Sequence, residues 1–188
     1  LVYTGSVGRM NNLKILIDSI ALIEKQTNIK DIRLFIFGTG PEKDKLERYC
    51  KEEQILNVTF FGHLDKKFIP SVLSQSSFNV LHYFSNTVWK YGGSQNKKFD
   101  YLASGKPILS TINEGYDIIE KNEAGFIVDQ QSVESIAKKI IEIYNMDPEK
   151  YKNMCRNSRN LSKEYDYSEL AKQYESIIYE NIRNGEEQ

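Results

Sequence analysis

Lys97, Lys98 and Asp100 are the residues whose type and spacing most suggest chemistry. They lie on a short helix whose limits the sequence marks itself. Gly92-Gly93 lets the backbone turn, Ser94 is a good N-cap, Gly105 suits a left-handed C-terminal cap, and Pro107 stops the run. A helix start favours acidic side chains, because the macrodipole is positive there, and a cation in the first turn costs about 0.3–1 kcal/mol. Two lysines there make sense if an external anion sits on the free N–H groups, and phosphate suits that position. Asp100 follows Lys97 by three positions and shares its face. A carboxylate one turn below a phosphate can accept hydrogen bonds from ribose hydroxyls. The stretch predicts nucleoside diphosphate binding, although a surface helix with solvated lysines explains the same residues equally well.

Other loops add weaker signals. Gly5-Ser6-Val7-Gly8-Arg9 puts two glycines, a hydroxyl and a guanidinium after an apolar run, with no acidic residue before Asp18. Arg9 could fork onto a phosphate or be an ordinary surface residue. Gly62-His63-Leu64 could present backbone groups to a base edge or form a plain turn. Trp89 and Tyr91 could line a pocket or cover an exposed edge. Gly38-Thr39-Gly40 lacks the third glycine of a dinucleotide fingerprint, since Lys43 stands there, and reads mainly as a helix start. Gly105-Lys106 is followed by proline, so it is no P-loop.

The elements that must position these loops alternate. Strands are predicted at 1–4, 32–37, 57–62, 78–83, 107–111 and 125–128. Helices are predicted at about 11–28, 41–54, 66–76, 94–104, 114–122, 132–145, 148–163 and 167–183. Such alternation, without hairpin signals, implies an α/β fold with a Rossmann-like parallel six-stranded sheet and helices on both faces. Ligands of such sheets bind beyond the carboxyl ends of the strands, where the loops above fall.

Bulk properties narrow the classes. The chain has 188 residues, 40% hydrophobic and 27% charged, with formal net charge −1. That suits one domain with a real core and argues against a nucleic-acid partner. No apolar run is long enough to span a membrane. Cys50 and Cys155 are isolated, and His63 and His82 are too sparse for a metal site. The chain opens directly in a strand-like run, which suggests a single domain cut from a longer protein.

The order of these motifs resembles the carboxyl-terminal, donor-binding domain of a GT-B glycosyltransferase of family 4 (group 1). The resemblance runs through Val2-Tyr3-Thr4-Gly5, Phe35-Ile36-Phe37-Gly38-Thr39-Gly40-Pro41-Glu42, Val58-Thr59-Phe60-Phe61-Gly62, Asn96 to Ile108, and Gly125-Phe126-Ile127-Val128. The segment from Tyr91 to Pro107 is its specific part and is similar to the bacterial surface-polysaccharide branch, which transfers amino or acetamido sugars. The resemblance implies transfer, with retention, of a sugar from a UDP- or GDP-type donor to a lipid-linked or polysaccharide acceptor, without cofactor or metal. It implies that Ser94, Asn96 and Lys97 hold the phosphates, Gly5 and Ser6 face them, Asp100 holds the ribose, and Gly62, His63 and Leu64 meet the base. Arg9 is a further phosphate candidate. It also implies a cytoplasmic enzyme, soluble or peripheral at the inner face of the membrane, whose amino-terminal domain supplies acceptor contacts. On that expectation this chain alone binds donor weakly and transfers nothing.

The sequence departs from that family at four positions. The first glutamate of the family's paired-glutamate motif falls at Gly92, the second is the shorter Asp100, and Ser6 and Asn11 stand where an arginine and a lysine are common. Two other readings keep the fold: a sugar-nucleotide epimerase or hydrolase half-domain, and a non-catalytic nucleotide-binding accessory module. The last helix carries Leu170, Tyr174, Ile177 and Ile178 on one face. That face suits either a crossing to the other domain or packing on its own sheet.

Overall fold

The computed structural model describes residues 1–84, 89, 91–93, 95–128 and 130–186, with side chains through residue 180. Six strands form one parallel sheet: β1 Val2–Thr4, β2 Leu34–Phe37, β3 Val58–Gly62, β4 Asn79–Leu81, β5 Ile108–Ser110 and β6 Gly125–Ile127. Their order is β3-β2-β1-β4-β5-β6. The winding reverses between β1 and β4, which leaves a crevice at their carboxyl ends.

Alternation along the strands builds two cores. Tyr3, Val80 and Leu109 enter one, and their neighbours Val2, Leu81 and Ile108 enter the other. The first core is closed by α1 Leu13–Gln26, α2 Lys43–Glu52 and α5 Val133–Tyr144. The second is closed by α3 Ile69–Ser74, α4 Asn96–Ala103 and α6 Pro148–Glu164. The helix α1 packs on α5, and α4 packs on α6. A last helix, α7 Tyr167–Glu186, packs along α6 and leaves Leu170, Tyr174 and Ile178 exposed. It does not bury that face on its own sheet.

Two expectations need correction. The stretch 114–122 is a chain of turns, not a helix. Asp117 accepts from the N–H groups of Ile119 and Glu120, and Glu123 closes the turn at φ +48°. The Asp117 bonds form a cap like the one Asp147 gives α6, but the left-handed Glu123 ends the turns at once, and Glu120 accepts from the Ile127 N–H of β6 at 2.8 Å. Helix α4 starts later than expected: its N-cap is Gln95. Ser94, the expected cap and phosphate ligand, lies outside the described residues.

The three glycine turns after β1, β2 and β3 lie side by side. The Gly5 N–H donates to the Phe37 carbonyl at 2.9 Å, and the Gly38 N–H to that of Gly62 at 2.6 Å. A Cβ on Gly38 would stand 1.7 Å from the Gly5 carbonyl oxygen, and φ there is +151°. One on Gly40 would stand 2.3 Å from the Val7 oxygen. Gly38-Thr39-Gly40 therefore does more than start a helix: it lets two loop backbones touch. Gly62 differs, with φ +74° and open space around its Cα. Gly38→Ala should destabilise the chain by more than about 3 kcal/mol, because backbone must move, whereas Gly62→Ala should cost only about 1–2 kcal/mol of left-handed strain. Chemical denaturation of the two variants measures the difference.

Candidate functional site

Helix α4 carries the residues that define the site, and Tyr101 fixes its position. The Tyr101 hydroxyl is fully buried against the end of β1, receives the Thr4 N–H at 3.1 Å and donates to the Thr4 carbonyl at 3.2 Å. Burial pushes its pKa up to about 12. One turn earlier, Lys97 is carried over the crevice between β1 and β4. Its Nζ lies 4.7 Å from the centres of the Tyr3 and Tyr83 rings. It donates to the Tyr3 hydroxyl at 3.5 Å. It also sits so close above Gly5 that a Cβ there would be 2.5 Å away. Tyr3 in turn donates to the Ser6 carbonyl at 2.9 Å. Lys97, Gly5 and Ser6 are thus brought to one place, where the strand order reverses.

The charge of Lys97 is unusual. Among the described residues no carboxylate lies within ion-pair distance of it. Burial lowers its pKa to about 8, well below a normal lysine. Tyrosine faces attract a cation by about 0.5–2 kcal/mol. The lowered pKa means that this attraction does not offset the lost hydration. An anion arriving at the crevice would.

The other cations are already matched. Lys98 turns inward, is almost fully buried and pairs with Glu114, so of the two lysines at the start of α4 only Lys97 is turned to the crevice. Arg9 is 91% exposed and turns onto Glu42 at 3.7 Å, away from this group. Asn96 is exposed in the first position of α4. Asp100 is exposed on the same helix; burial of its carboxyl raises its pKa, and Lys66 opposes that rise. Lys66 follows the Gly62–Leu64 turn, so Asp100 and that turn share one side of the mouth. His63 is exposed with its Nε2 3.4 Å from Asp65, and Leu64 is half-buried.

Sequence reasoning missed His82. Its Nε2 lies 3.0 Å from the Asn12 carbonyl and its Nδ1 2.6 Å from the Thr111 hydroxyl. The Nε2 must therefore carry the proton, and Nδ1 accepts from Thr111. Burial lowers its pKa to about 4, despite the Asn12 bond, and Lys97 adds to the lowering. A neutral imidazole thus ties the loop before α1 to the ends of β4 and β5. The Phe84 N–H adds a bond to the Met10 carbonyl at 2.7 Å. Only a fold that brings three distant loops together reveals this network.

The mouth is an open shelf, with Ser6, Asn96 and Asp100 exposed around the half-buried Lys97. A cleft of about 440 Å³ opens elsewhere, lined by Leu1, Ile32, Phe78 and Tyr151, at the amino ends of the strands. Among the described residues no three His, Cys, Asp or Glu side chains gather to hold a metal ion, and no helix is long and apolar enough to cross a membrane.

A Rossmann-like parallel six-stranded sheet covered by helices on both faces is the fold found as one half of GT-B glycosyltransferases. The family model described as "Glycosyl transferases group 1" matches residues 1–146, and the chain belongs to that family. No curated protein matches it. Among solved structures, the fold is similar to that of Anabaena Alr3699/HepE in complex with UDP-glucose, with a TM-score of 0.75 and 16% identity over 95% of this chain and 48% of that one. It is also similar to the pneumococcal O-GlcNAc transferase GtfA in complex with UDP and GlcNAc (TM-score 0.73, 15% identity, 96% of this chain and 35% of that one). The catalytic domain of a Helicobacter pylori cholesterol-alpha-glucosyltransferase matches with TM-score 0.68 and 16% identity, over 88% of this chain and 99% of that one. The chain spans about a third to a half of the length of GtfA and HepE.

Two variants test this geometry. Lys97→Met keeps the stem against the tyrosines and removes the dehydrated charge, so it should stabilise the empty chain at pH 7 by about 1–2 kcal/mol. The raised pH tells the same story. The folded pKa lies near 8 and the unfolded one near 10.5, so the Lys97 contribution to stability should rise between those values and vanish in Lys97→Met. Tyr101→Phe should lose about 1–3 kcal/mol by orphaning buried Thr4 groups. Urea unfolding of both variants and the parent, at pH 7 and pH 10, decides.

Proposed function

We propose that this chain is the donor-binding half of a retaining, metal-independent glycosyltransferase that uses a UDP- or GDP-type sugar. The observation that carries the reading is Lys97: a buried cation over the crevice, with aromatic neighbours and no carboxylate partner among the described residues. In the reaction the bond from the anomeric carbon to the diphosphate oxygen breaks, its electron pair leaves with the diphosphate, an acceptor hydroxyl oxygen bonds the same carbon, and the proton of that hydroxyl passes to the departing diphosphate oxygen. The charge that develops on the leaving group is what a preplaced ammonium stabilises. Lys97 does this together with the amides at the start of α4, and with Gly5 and Ser6 across the crevice. Asp100 accepts from ribose hydroxyls. Gly62, His63 and Leu64 flank the base, where Gly62 leaves open room for close approach.

The open shelf needs a second wall, which in this reading is the amino-terminal half of a longer enzyme. The exposed apolar face of α7 offers that half a contact surface. A donor sugar of amino or acetamido type and an acceptor in surface-polysaccharide synthesis fit the segment Tyr91 to Pro107. GtfA, solved with UDP and GlcNAc, and WaaG, involved in lipopolysaccharide biosynthesis, are similar folds that support this direction. On the same reading the enzyme works in the cytoplasm, and this half by itself transfers nothing.

Titration calorimetry with UDP and GDP tests the site. One of the two should bind, and Lys97→Ala and Asp100→Ala should each weaken it about tenfold or more, the loss expected for a charge-assisted contact. Affinity should fall as the pH rises through about 8, because Lys97 then loses its charge, and this fall should be absent in Lys97→Ala. Equal binding by parent and both variants, or no binding of either nucleotide, overturns the assignment.

A further inference from the structure

Gln95 Nε2, Gln95 Oε1 and Glu114 Oε1 are the buried side-chain atoms without a hydrogen-bond partner among the described residues. They gather in one corner of the mouth. Gln95 is the N-cap of α4, and Lys98, three positions on, pairs with the other Glu114 oxygen. The Gly115 N–H donates to the Trp89 carbonyl at 3.1 Å, which draws the Glu114 loop against Trp89. Gly93 lies between the Gln95 amide and the indole: a Cβ there would be 2.6 Å from Gln95 Nε2 and 2.9 Å from the Trp89 ring. Gln95 and Glu114 are each only 7% exposed.

Buried polar groups are normally satisfied, and an unmet one is costly. Three unmet atoms in one corner are poor packing unless something polar arrives. The corner also adjoins the cation site. The Tyr83 ring under Lys97 has its phenol pKa raised by burial and then by Glu114, so the carboxylate and the ammonium both act on one tyrosine.

We propose that Gln95 and Glu114 contact the sugar ring of the donor, beside the diphosphate held at Lys97. The inference rests on the nucleotide-sugar reading above. The free Glu114 oxygen accepts from a ring hydroxyl or an acetamido N–H. The Gln95 carboxamide both donates and accepts, which matches two adjacent hydroxyls or the N–H and C=O of an acetamido group. Lys98 is a positioning residue: it neutralises Glu114 so that a carboxylate can be kept buried, and it leaves one oxygen unused. Trp89 and the Gly92–Gly93 turn cover these atoms, so sugar entry displaces them. Trp89 is the only tryptophan in the chain and reports the event.

Trp fluorescence and calorimetry on the 188-residue chain test this, with UDP and UDP-glucose or UDP-N-acetylglucosamine, and with GDP and GDP-mannose. Glu114→Gln and Gln95→Leu should each weaken a sugar conjugate at least tenfold more than they weaken the bare diphosphate. The sugar conjugate should also change Trp89 emission more than the diphosphate does. Thermal unfolding checks the fold; if Glu114→Gln fails to fold, Gln95→Leu, which keeps the Lys98–Glu114 pair, decides. A parent that binds diphosphate and variants that lose conjugate and diphosphate by the same factor, or lose neither, overturn this inference alone. A parent that binds neither nucleotide overturns the diphosphate reading and this inference with it.

Discussion

A cation stripped of water and given tyrosine faces instead of a carboxylate is the constraint on which the site depends. The fold keeps Lys97 there by rigid means. Tyr101 bolts α4 to the last residue of β1 through the Thr4 backbone. The helix axis is thereby fixed one turn below the lysine. Tyr3 and Tyr83 rise from the two strands on either side of the reversal and hold the stem. A flexible lysine could relieve its burial by swinging into water. Lys97 is instead half-buried between two rings and a glycine turn, where burial penalises its charge and lowers its pKa to about 8 in the empty protein. An anion that enters the crevice gains both the Coulomb attraction and the relief of that penalty.

The same logic explains why the surrounding loops are tied so tightly. A phosphate site works when its amides are already aimed, because little ordering is then left for the ligand to drive. The first loop is held by β2 through the Gly5 and Val7 N–H groups, by the Phe84 N–H at Met10, and by His82 at Asn12. His82 can do this at any ordinary pH because it stays neutral, with one fixed tautomer. A protonated ring would place a second charge beside Lys97 and would lose the acceptor that Thr111 needs. The low pKa is therefore part of the support for the lysine.

Much of this was visible in the sequence. Strand and helix alternated with clear periods, since β1, β4 and β5 are buried on both faces and α1 and α5 bury one apolar face each. The Lys97–Asp100 spacing was legible because it depends only on helix geometry. What was not legible required contacts between distant loops. Nothing near Lys98 in sequence shows that Glu114 will meet it, and that pairing decides which of two adjacent lysines is available. Arg9 looked free because Glu42 reaches it only after β1 and β2 pair. The stretch 114–122 carried enough helix formers to suggest a helix, but Glu123 turns left-handed and Glu120 is drawn to the Ile127 N–H of β6, so the chain turns after Asp117 caps it. Nothing in the sequence sets Tyr3 and Tyr83 apart, and only the strand order shows that both rings lie at the crevice.

Pairing also explains why one lysine does the work. At the mouth, Lys98 is matched by Glu114, Arg9 by Glu42, and Lys66 lies near Asp100. Each is a cation whose charge is spent within the fold. If Glu114 were shorter or absent, Lys98 would be a buried charge without relief, and it would compete with Lys97 for any anion. The ion pair therefore removes a rival and sharpens the site onto one nitrogen. It does so with one carboxylate oxygen, and the other is left without a partner in the same corner. A buried carboxylate paired through one oxygen and unpartnered at the other is a built acceptor, and it acts on the same tyrosine over which Lys97 sits.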